Sequence, residues 1–466
     1  MKRARITVIL ASAIIFSGCS FFEPIGKPYN WTQNSTDAQT ASLPPVISKT
    51  DDSSAEATDN KLSEAAVAAL ASSEIQTALP FSEDFLNWCV RETRDDGLIQ
   101  KITDTINESH WSDDDWYALT GMTVKASTDL YHNTAEHTDN VHILEGDGQS
   151  GISLTFAGDV SFADNWQTMQ YLKATQSSIT DCISPFLIGK MKNADISMIN
   201  NEFCISDRGT PMKGKQYTFR ATTQNVSLYE TLGTDIVDLA NNHIFDYGED
   251  AFLDTLDTLK SAGIIYMGGG RNISEASKPQ YFIVEGKKIA YIAATRAEKN
   301  ILTPAAGVNS PGVLRCYDPS MFLEVIREAK QNADFVIANI HWGTEYSHAL
   351  EPVQTQTAYQ YIDAGADLIV GTHAHCLQGI EYYKHKPIIY NLGNFWFNEH
   401  DVDTGLLGVT LLEDDNIAVQ FFPATQRNCQ TTYVGGEAEG NRILQCIRSY
   451  SINAEISQDG TVTERK

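Results

Sequence analysis

Leu368-Ile369-Val370-Gly371-Thr372-His373-Ala374-His375 opens on an apolar run and closes on two imidazoles one residue apart. Consecutive aliphatic side chains suit a strand buried on both faces, the kind found in layered α/β sheets. Alternate residues of an extended chain share a face, so His373 and His375 are expected to send their rings to one side. The pattern recurs upstream. Residues 152–157 lead into Gly158-Asp159, and residues 196–199 into Asn200-Asn201-Glu202. Residues 236–239 lead into Ala240-Asn241-Asn242-His243, with Asp246 and Gly248 beyond, and residues 335–340 into His341-Trp342-Gly343. Helical periodicity fills several intervals, at 251–261, 321–332 and 355–364. Strand and helix in alternation predict an α/β layered fold.

Every one of these polar clusters stands at the C-terminal end of its strand, the edge of an open α/β sheet where ligands bind, so five separated segments are expected to converge. Four of the eleven histidines lie in them. Neutral imidazole and carboxylate oxygen suit Zn, Mn or Fe, and a carboxylate or amide oxygen can bridge two such ions. Two adjacent ions can activate water and clamp both oxygens of a displacement. One or two divalent metal ions are therefore the expected cofactor. Loop capping would account for any one cluster; it does not account for five that each follow an apolar strand.

The composite motifs Gly158-Asp159, Asn200-Asn201-Glu202, Leu239-Ala240-Asn241-Asn242-His243, His341-Trp342-Gly343-Thr344-Glu345-Tyr346, Gly371-Thr372-His373-Ala374-His375 and Tyr390-Asn391-Leu392-Gly393-Asn394-Phe395 resemble the CapA family of capsule and poly-γ-glutamate biosynthesis proteins. The resemblance covers residues 151–425. It implies a fold similar to the calcineurin-like metallophosphoesterases, a β-sandwich flanked by helices. By that resemblance Asp159 matches the first-strand metal carboxylate, Glu202 the bridging carboxylate and Asn242 the asparagine ligand. His341, His373 and His375 complete the metal set, and His243 matches the leaving-group acid or transition-state donor. Two departures stand out. The phosphoesterase signature opens with Asp-x-His, whereas Val160 and Ser161 follow Asp159 here, leaving one metal position a ligand short. The middle position of Asn-x-Glu usually holds Leu and here holds Asn201.

Secondary candidates surround this set. Asp246 is expected either to support His243 or to cap a helix. Arg220, in Tyr217-Thr218-Phe219-Arg220-Ala221, is either a bidentate carboxylate clamp or a surface arginine. Glu345 is placed to orient His341 or to bind substrate, and Asn241 is grouped with these substrate-binding candidates. Gly268-Gly269-Gly270 lacks the strand and helix context of a dinucleotide site and reads as a turn.

The flanks read differently. Lys2, Arg3 and Arg5 precede an apolar run over residues 6–16, broken at Ser12, and Ser17-Gly18-Cys19 closes it in the layout of a bacterial lipobox. Residues 1–18 are expected to be a lipoprotein signal peptide, with Cys19 lipidated and the chain held outside the cytoplasm on the membrane. Residues 19–61, rich in Ser, Thr, Asp, Asn and Pro, read as a disordered tether. Residues 62–130 read as mainly helical, 131–150 as a loop, and 426–466 as a β-hairpin extension around Asp459-Gly460. Seven cysteines follow Cys19, an odd number without any CxxC pair, so a zinc knuckle is not indicated.

Charge narrows the partners. Sixty acidic against 34 basic residues give a net charge of −26, which repels nucleic acid at long range. The functions left by the resemblance are three. One is a metal-dependent hydrolase or transferase acting on an anionic polymer such as poly-γ-glutamate or on its precursor. Another is a non-catalytic component holding that polymer at a membrane synthase complex, and the third is a general metallophosphoesterase.

Overall fold

The computed structural model describes residues 140–144, 146, 151–297, 302–412 and 416–466. The expected signal peptide over 1–18, the expected lipidation site Cys19, the expected tether over 19–61 and the expected helical region over 62–130 lie outside these residues. Strands β1 (Val141–Leu144), β2 (Ile152–Val160), β3 (Ile196–Asn201), β4 (Ile236–Asp238) and β5 (Ile265–Met267) come first. The hairpin β6 (Gln280–Val284) and β7 (Lys287–Thr295) follows, then β8 (Phe335–Trp342), β9 (Leu368–His373), β10 (Ile380–Tyr383) and β11 (Lys386–Ile389). The chain continues through β12 (Asn394–Trp396), β13 (Val402–Leu411), β14 (Ile417–Arg427) and β15 (Gln430–Tyr433), and ends with β16 (Ala454–Ile456) and β17 (Thr461–Glu464). The main helices are α1 (Gln167–Thr175), α2 (Pro185–Asn193), α3 (Glu249–Ser261), α4 (Ser320–Asn332), α5 (Pro352–Ala364) and α6 (Ala438–Tyr450).

Among the described residues the strands form two large sheets. The seven-stranded sheet has the order β1-β6-β7-β8-β9-β11-β10. The ten-stranded sheet runs β16-β17-β14-β13-β2-β3-β4-β5, with β12 on β2 and β15 on β14. Side-chain alternation explains how both sheets are buried on two faces. Leu154 and Phe156 of β2 pack with Ile289, Tyr291 and Ile337 between the sheets, while Ala157 and Val160 belong to a second core with residues of α1, α2 and α3. Ala290, Ile292 and Ala294 of β7 turn the other way, against Phe322, Ile326 and Tyr361 of α4 and α5. The result is helix–sheet–sheet–helix, the sandwich flanked by helices that the resemblance implies. Each fully buried Leu, Ile or Phe contributes roughly 1.5–3 kcal/mol.

Three differences from the sequence expectation have physical causes. Residues 141–144, read as loop, form β1, which pairs in parallel with β6 through Val141↔Tyr281 and Leu144↔Val284; four residues carry too little periodicity to reveal it. α5 starts at Pro352, three residues before the expected start, because proline suits the first helical turn and the Gln354 side chain accepts from the Glu351 N–H at 2.9 Å. Residues 426–466 are more than a hairpin. α6 buries Ile443, Leu444 and Ile447, and β17 pairs with β14, so this segment completes the ten-stranded sheet.

The parallel neighbours β2, β3 and β4 lie in one sheet and the parallel neighbours β8 and β9 in the other. Their register sets Asp159 beside Asn200, Asn200 beside Asp238, and His341 beside Thr372. Gly158 lets the Gly393 backbone approach the end of β2. The Asp159 N–H donates to the Gly393 carbonyl at 2.9 Å, and a Cβ at position 158 would lie 1.9 Å from that same oxygen. Gly158→Ala must therefore displace backbone, and we expect a loss of at least about 2 kcal/mol, read as a drop in the urea midpoint.

Candidate metal centre

Glu202, just past β3, is fully buried and its Oε1 accepts no hydrogen bond. Three imidazole nitrogens surround that oxygen: His341 Nε2 at 3.8 Å, His375 Nε2 at 3.9 Å and His243 Nε2 at 4.0 Å. These separations are too long for hydrogen bonds and leave room for a cation between the groups. Two triads result, Glu202 with His341 and His373, and Glu202 with Asp159 and His375, their ligand atoms within 4.8 Å of one another. Glu202 belongs to both. Asn242 Oδ1 joins the first, 2.8 Å from His341 Nε2. His373 Nδ1 is likewise buried without a partner. Buried polar atoms are rarely left unpaired, so the orphaned oxygen and nitrogen fit a divalent ion among oxygen and imidazole donors.

The two rings of His-x-His converge by a route other than strand alternation. β9 ends at His373, whose φ is 95°, and His375 lies beyond the strand with φ 53°. Both are left-handed, a conformation that non-glycine residues hold only where the surroundings enforce it. The His375 Nδ1 contacts that help to enforce it are Asn394 Oδ1 at 2.7 Å and Asp159 Oδ2 at 3.0 Å. His341 is held at Nδ1 by Thr372 Oγ1 at 2.9 Å. Nε2 stands 2.8 Å from the Asn242 amide oxygen, an acceptor, so without metal it donates there; with Nδ1–H turned to the Thr372 hydroxyl, Nε2 would offer its lone pair to a bound ion. Thr372→Val is expected to weaken metal affinity by about 10- to 100-fold while leaving the fold intact, measured by titration of the apo protein.

Electrostatics follow from burial. Burial, then the Asp159 and Glu345 charges, push the Glu202 carboxyl well above the usual carboxylate range. Burial drives His341 well below the ordinary imidazole value and His373 down to about 3, helped by their neighbouring histidines. Burial also lowers His243, against the pull of Asp246. On His375 burial pushes downward, but the Asp159 carboxylate outweighs it and the value is raised. The lowered imidazoles of His243, His341 and His373 and a carboxyl strained toward protonation form a site that an added cation would stabilise.

The structure brings Asp159, Glu202, Asn242, His243, His341, His373 and His375 to one point. Asp246 lies under His243, Oδ2 2.7 Å from Nδ1, and also accepts from the Phe219 N–H at 2.7 Å. Asn241 is buried and tied into the protein: Nδ2 donates to Asn201 O at 2.8 Å, and Oδ1 accepts from the His243 N–H at 3.0 Å. Arg220 pairs through a two-residue strand with Cys204–Ile205, donates to the Arg208 carbonyl at 2.7 Å and stacks on Tyr247 at 4.3 Å, which ties it into the loop framework. Glu345 is exposed; its charge acts on Glu202 and His375, whereas the hydroxyl orienting His341 is that of Thr372. At the position where the phosphoesterase signature has His, the buried Ser161 Oγ accepts from the Ala163 N–H at 3.4 Å.

Sequence reasoning missed several participants. Lys215 is the most consequential: its side chain is only 5% exposed, and Nζ lies 2.7 Å from Asp246 Oδ1 and donates to the Asn242 carbonyl. Asn200 bridges strands, with Nδ2 2.8 Å from Asp159 Oδ1. Tyr346, half-exposed with φ 57°, is pinned by its N–H to the Ala374 carbonyl at 2.7 Å, and its ring lies 5.7 Å from His375. Thr372, Asn200 and Tyr346 stood inside motifs already singled out; Lys215 carries no local signal.

The family described as "Bacterial capsule synthesis protein PGA_cap" matches residues 153–399, just over half of the chain and every ligand above. The chain belongs to this family. Capsule biosynthesis protein CapA of Bacillus anthracis is 32% identical over 304 residues, spanning 63% of this chain and 72% of that one. PGA biosynthesis protein CapA of Bacillus subtilis (strain 168) is 32% identical over 251 residues, 53% of this chain and 64% of its own length, slightly under two thirds. The solved structures are more distant. A hypothetical protein from Thermus thermophilus superposes with a TM-score of 0.37 at 12% identity, covering 59% of this chain and all of that one. The Haemophilus influenzae NAD nucleotidase does so with a TM-score of 0.32 at 14% identity, covering 66% and 65%.

Proposed function

We propose that this PGA_cap member is a metal-dependent hydrolase or transferase of capsule or poly-γ-glutamate biosynthesis, acting outside the cytoplasm on an anionic polymer or its precursor. The observation that carries the reading is Glu202 Oε1, buried, unbonded and ringed by three imidazole nitrogens at 3.8–4.0 Å. Glu202, Asn242, His341 and His373 would hold one divalent ion, and Asp159, Glu202 and His375 a second, with Mn, Zn or Fe suited to these donors. Bound there, a cation supplies Lewis acidity toward a phosphoryl or γ-amide carbonyl oxygen and makes water more acidic. His243 handles protons. Asp246 accepts its Nδ1–H and holds the ring so that Nε2 faces the cluster, ready to take a proton and pass it to a leaving group. A lipid anchor at Cys19 would hold the protein beside a membrane synthase, its proposed partner.

A polymer-holding role is the second reading, and Ser161 is the observation that favours it, because the Asp159 triad has a hydroxyl where the phosphoesterase signature has an imidazole. Complementation of a deletion strain separates the two. The enzymatic reading expects the Asp159→Ala and His243→Ala proteins, present at normal levels, to leave the cell surface without polymer, as the deletion does. Polymer restored by both variants would refute catalysis and leave the holding role.

A further inference from the structure

We propose that the Tyr346 phenol touches the substrate at the metal centre, donating its O–H to the phosphoryl or carbonyl oxygen that reacts there; this rests on the hydrolase reading above and adds to it a donor for that oxygen. Tyr346 stands in the turn between β8 and α5. Its N–H donates at 2.7 Å to the carbonyl of Ala374, the residue between His373 and His375. Its ring centre lies 5.7 Å from that of His375, whose Nε2 faces Glu202 Oε1 at 3.9 Å. The charges of Glu202 and Asp159, the carboxylates of the two triads, both act on its hydroxyl. The phenol therefore borders the metal centre through a ligand ring, a ligand backbone and the field of the carboxylates.

Packing does not explain this placement. The φ of Tyr346 is 57°, in the left-handed region where a bulky side chain is an outlier. Burying the ring would offset that cost, yet Tyr346 is 53% exposed, whereas Phe397, which also packs on His375 at 4.7 Å, is buried. The turn itself holds the conformation. Gln378 Nε2 donates to the Ser347 carbonyl at 3.0 Å, and His348 Nδ1 to the Leu377 carbonyl at 2.7 Å. A strained aromatic kept half in solvent beside a metal ligand marks a functional constraint. Its hydroxyl is also arranged to give a proton. Burial, Glu345 and Glu202 push the phenol up to about 12, while Asn398 pulls the other way, as an N–H given to the phenol oxygen does. Asn398 has no acceptor to spare, since its Oδ1 already takes Gln426 Nε2 at 2.8 Å and the His400 N–H at 3.0 Å. The phenol proton is thus left for an oxygen from solution. His243, packed on Phe219 rather than on His375, serves the leaving group, and Tyr346 serves the oxygen that stays.

The test uses the metal-loaded, full-length protein with two probes, inorganic phosphate and a γ-linked glutamate dipeptide. Wild type and Tyr346→Phe are titrated with each, alongside elemental analysis and thermal melts. The substitution removes the hydroxyl and keeps the ring, so metal content and melting temperature should not change. For the probe that fits, Tyr346→Phe is expected to bind about tenfold more weakly. Where wild type turns that chemistry over, kcat should fall about 100-fold. A contrast confined to phosphate identifies a phosphoryl oxygen, and one confined to the dipeptide a carbonyl oxygen. Equal affinities of wild type and variant with metal bound, or no binding of either probe to metal-loaded wild type, overturn the role of the phenol and leave the metal centre standing. Loss of metal in Tyr346→Phe also overturns it, by making Tyr346 a support of His375. A tenfold contrast in a protein that hydrolyses neither a phosphate ester nor the dipeptide keeps the phenol as a binding group and refutes the hydrolase reading.

Discussion

His373→Ala is expected to lower bound divalent metal by at least about 100-fold in affinity and to abolish turnover, while the metal-free variant keeps the stability of metal-free wild type to within about 1 kcal/mol. The first half follows from ligand loss, since even outer partners of a metal are worth about 10–100-fold. The second half makes the prediction specific. His373 Nδ1 is buried without a partner, and burial drives the imidazole down to about 3, so it is neutral with a ring nitrogen that no described residue pairs. Removing an unsatisfied polar group relieves a desolvation penalty, which offsets the packing lost with the ring. A structural histidine would behave oppositely. At 100 times its dissociation constant the metal should stabilise wild type by about 2.7 kcal/mol, and this increment should vanish in the variant. Thermal melts with and without metal, together with elemental analysis, read both halves.

Lys215→Met is expected to destabilise the protein by about 3–5 kcal/mol. Asp246 has no exposed surface and Lys215 supplies the only full cation within salt-bridge distance of it among the described residues. Taking the ammonium away strands a buried carboxylate, the costly way to break an ion pair. The loss reaches the site, because the same Nζ holds the Asn242 carbonyl and Asp246 holds His243 Nδ1. Adding Asp246→Asn to the lysine variant should recover part of the stability by removing the stranded charge, though not the proton handling at His243. Urea unfolding at constant slope measures the effect. A midpoint shift worth under about 1 kcal/mol would mean that solvent, not Lys215, balances Asp246.

Much of this site was legible from composition and order along the chain. Five apolar strands each followed by a polar cluster predicted convergence at one sheet edge; the clusters do converge, but from two sheets, with Asp159 beside Asn200 in one and His341 beside Thr372 in the other. The α/β alternation needed only periodicity. α6 was also readable, since Ile443, Leu444 and Ile447 follow a helical spacing.

What stayed hidden was tertiary. Strand alternation gave the right outcome for His373 and His375 by the wrong route, because their positive φ angles depend on Asn394, Asp159 and the neighbouring loop rather than on local sequence. Lys215 sits in a loop 27 residues before Asn242, and a lone lysine there looks like any solvated charge. Contacts of that kind depend on which loops the two sheets bring together.

The central claim, that oxygen and imidazole donors from both sheets share a cation at Glu202, is tested most directly by anomalous diffraction from crystals soaked in Mn. A peak is expected bounded by Glu202 Oε1, Asn242 Oδ1, His341 Nε2 and His373, whether or not a second appears beside Asp159 and His375. At saturating metal, a Glu202 site without density, or a peak only at surface carboxylates, would contradict it.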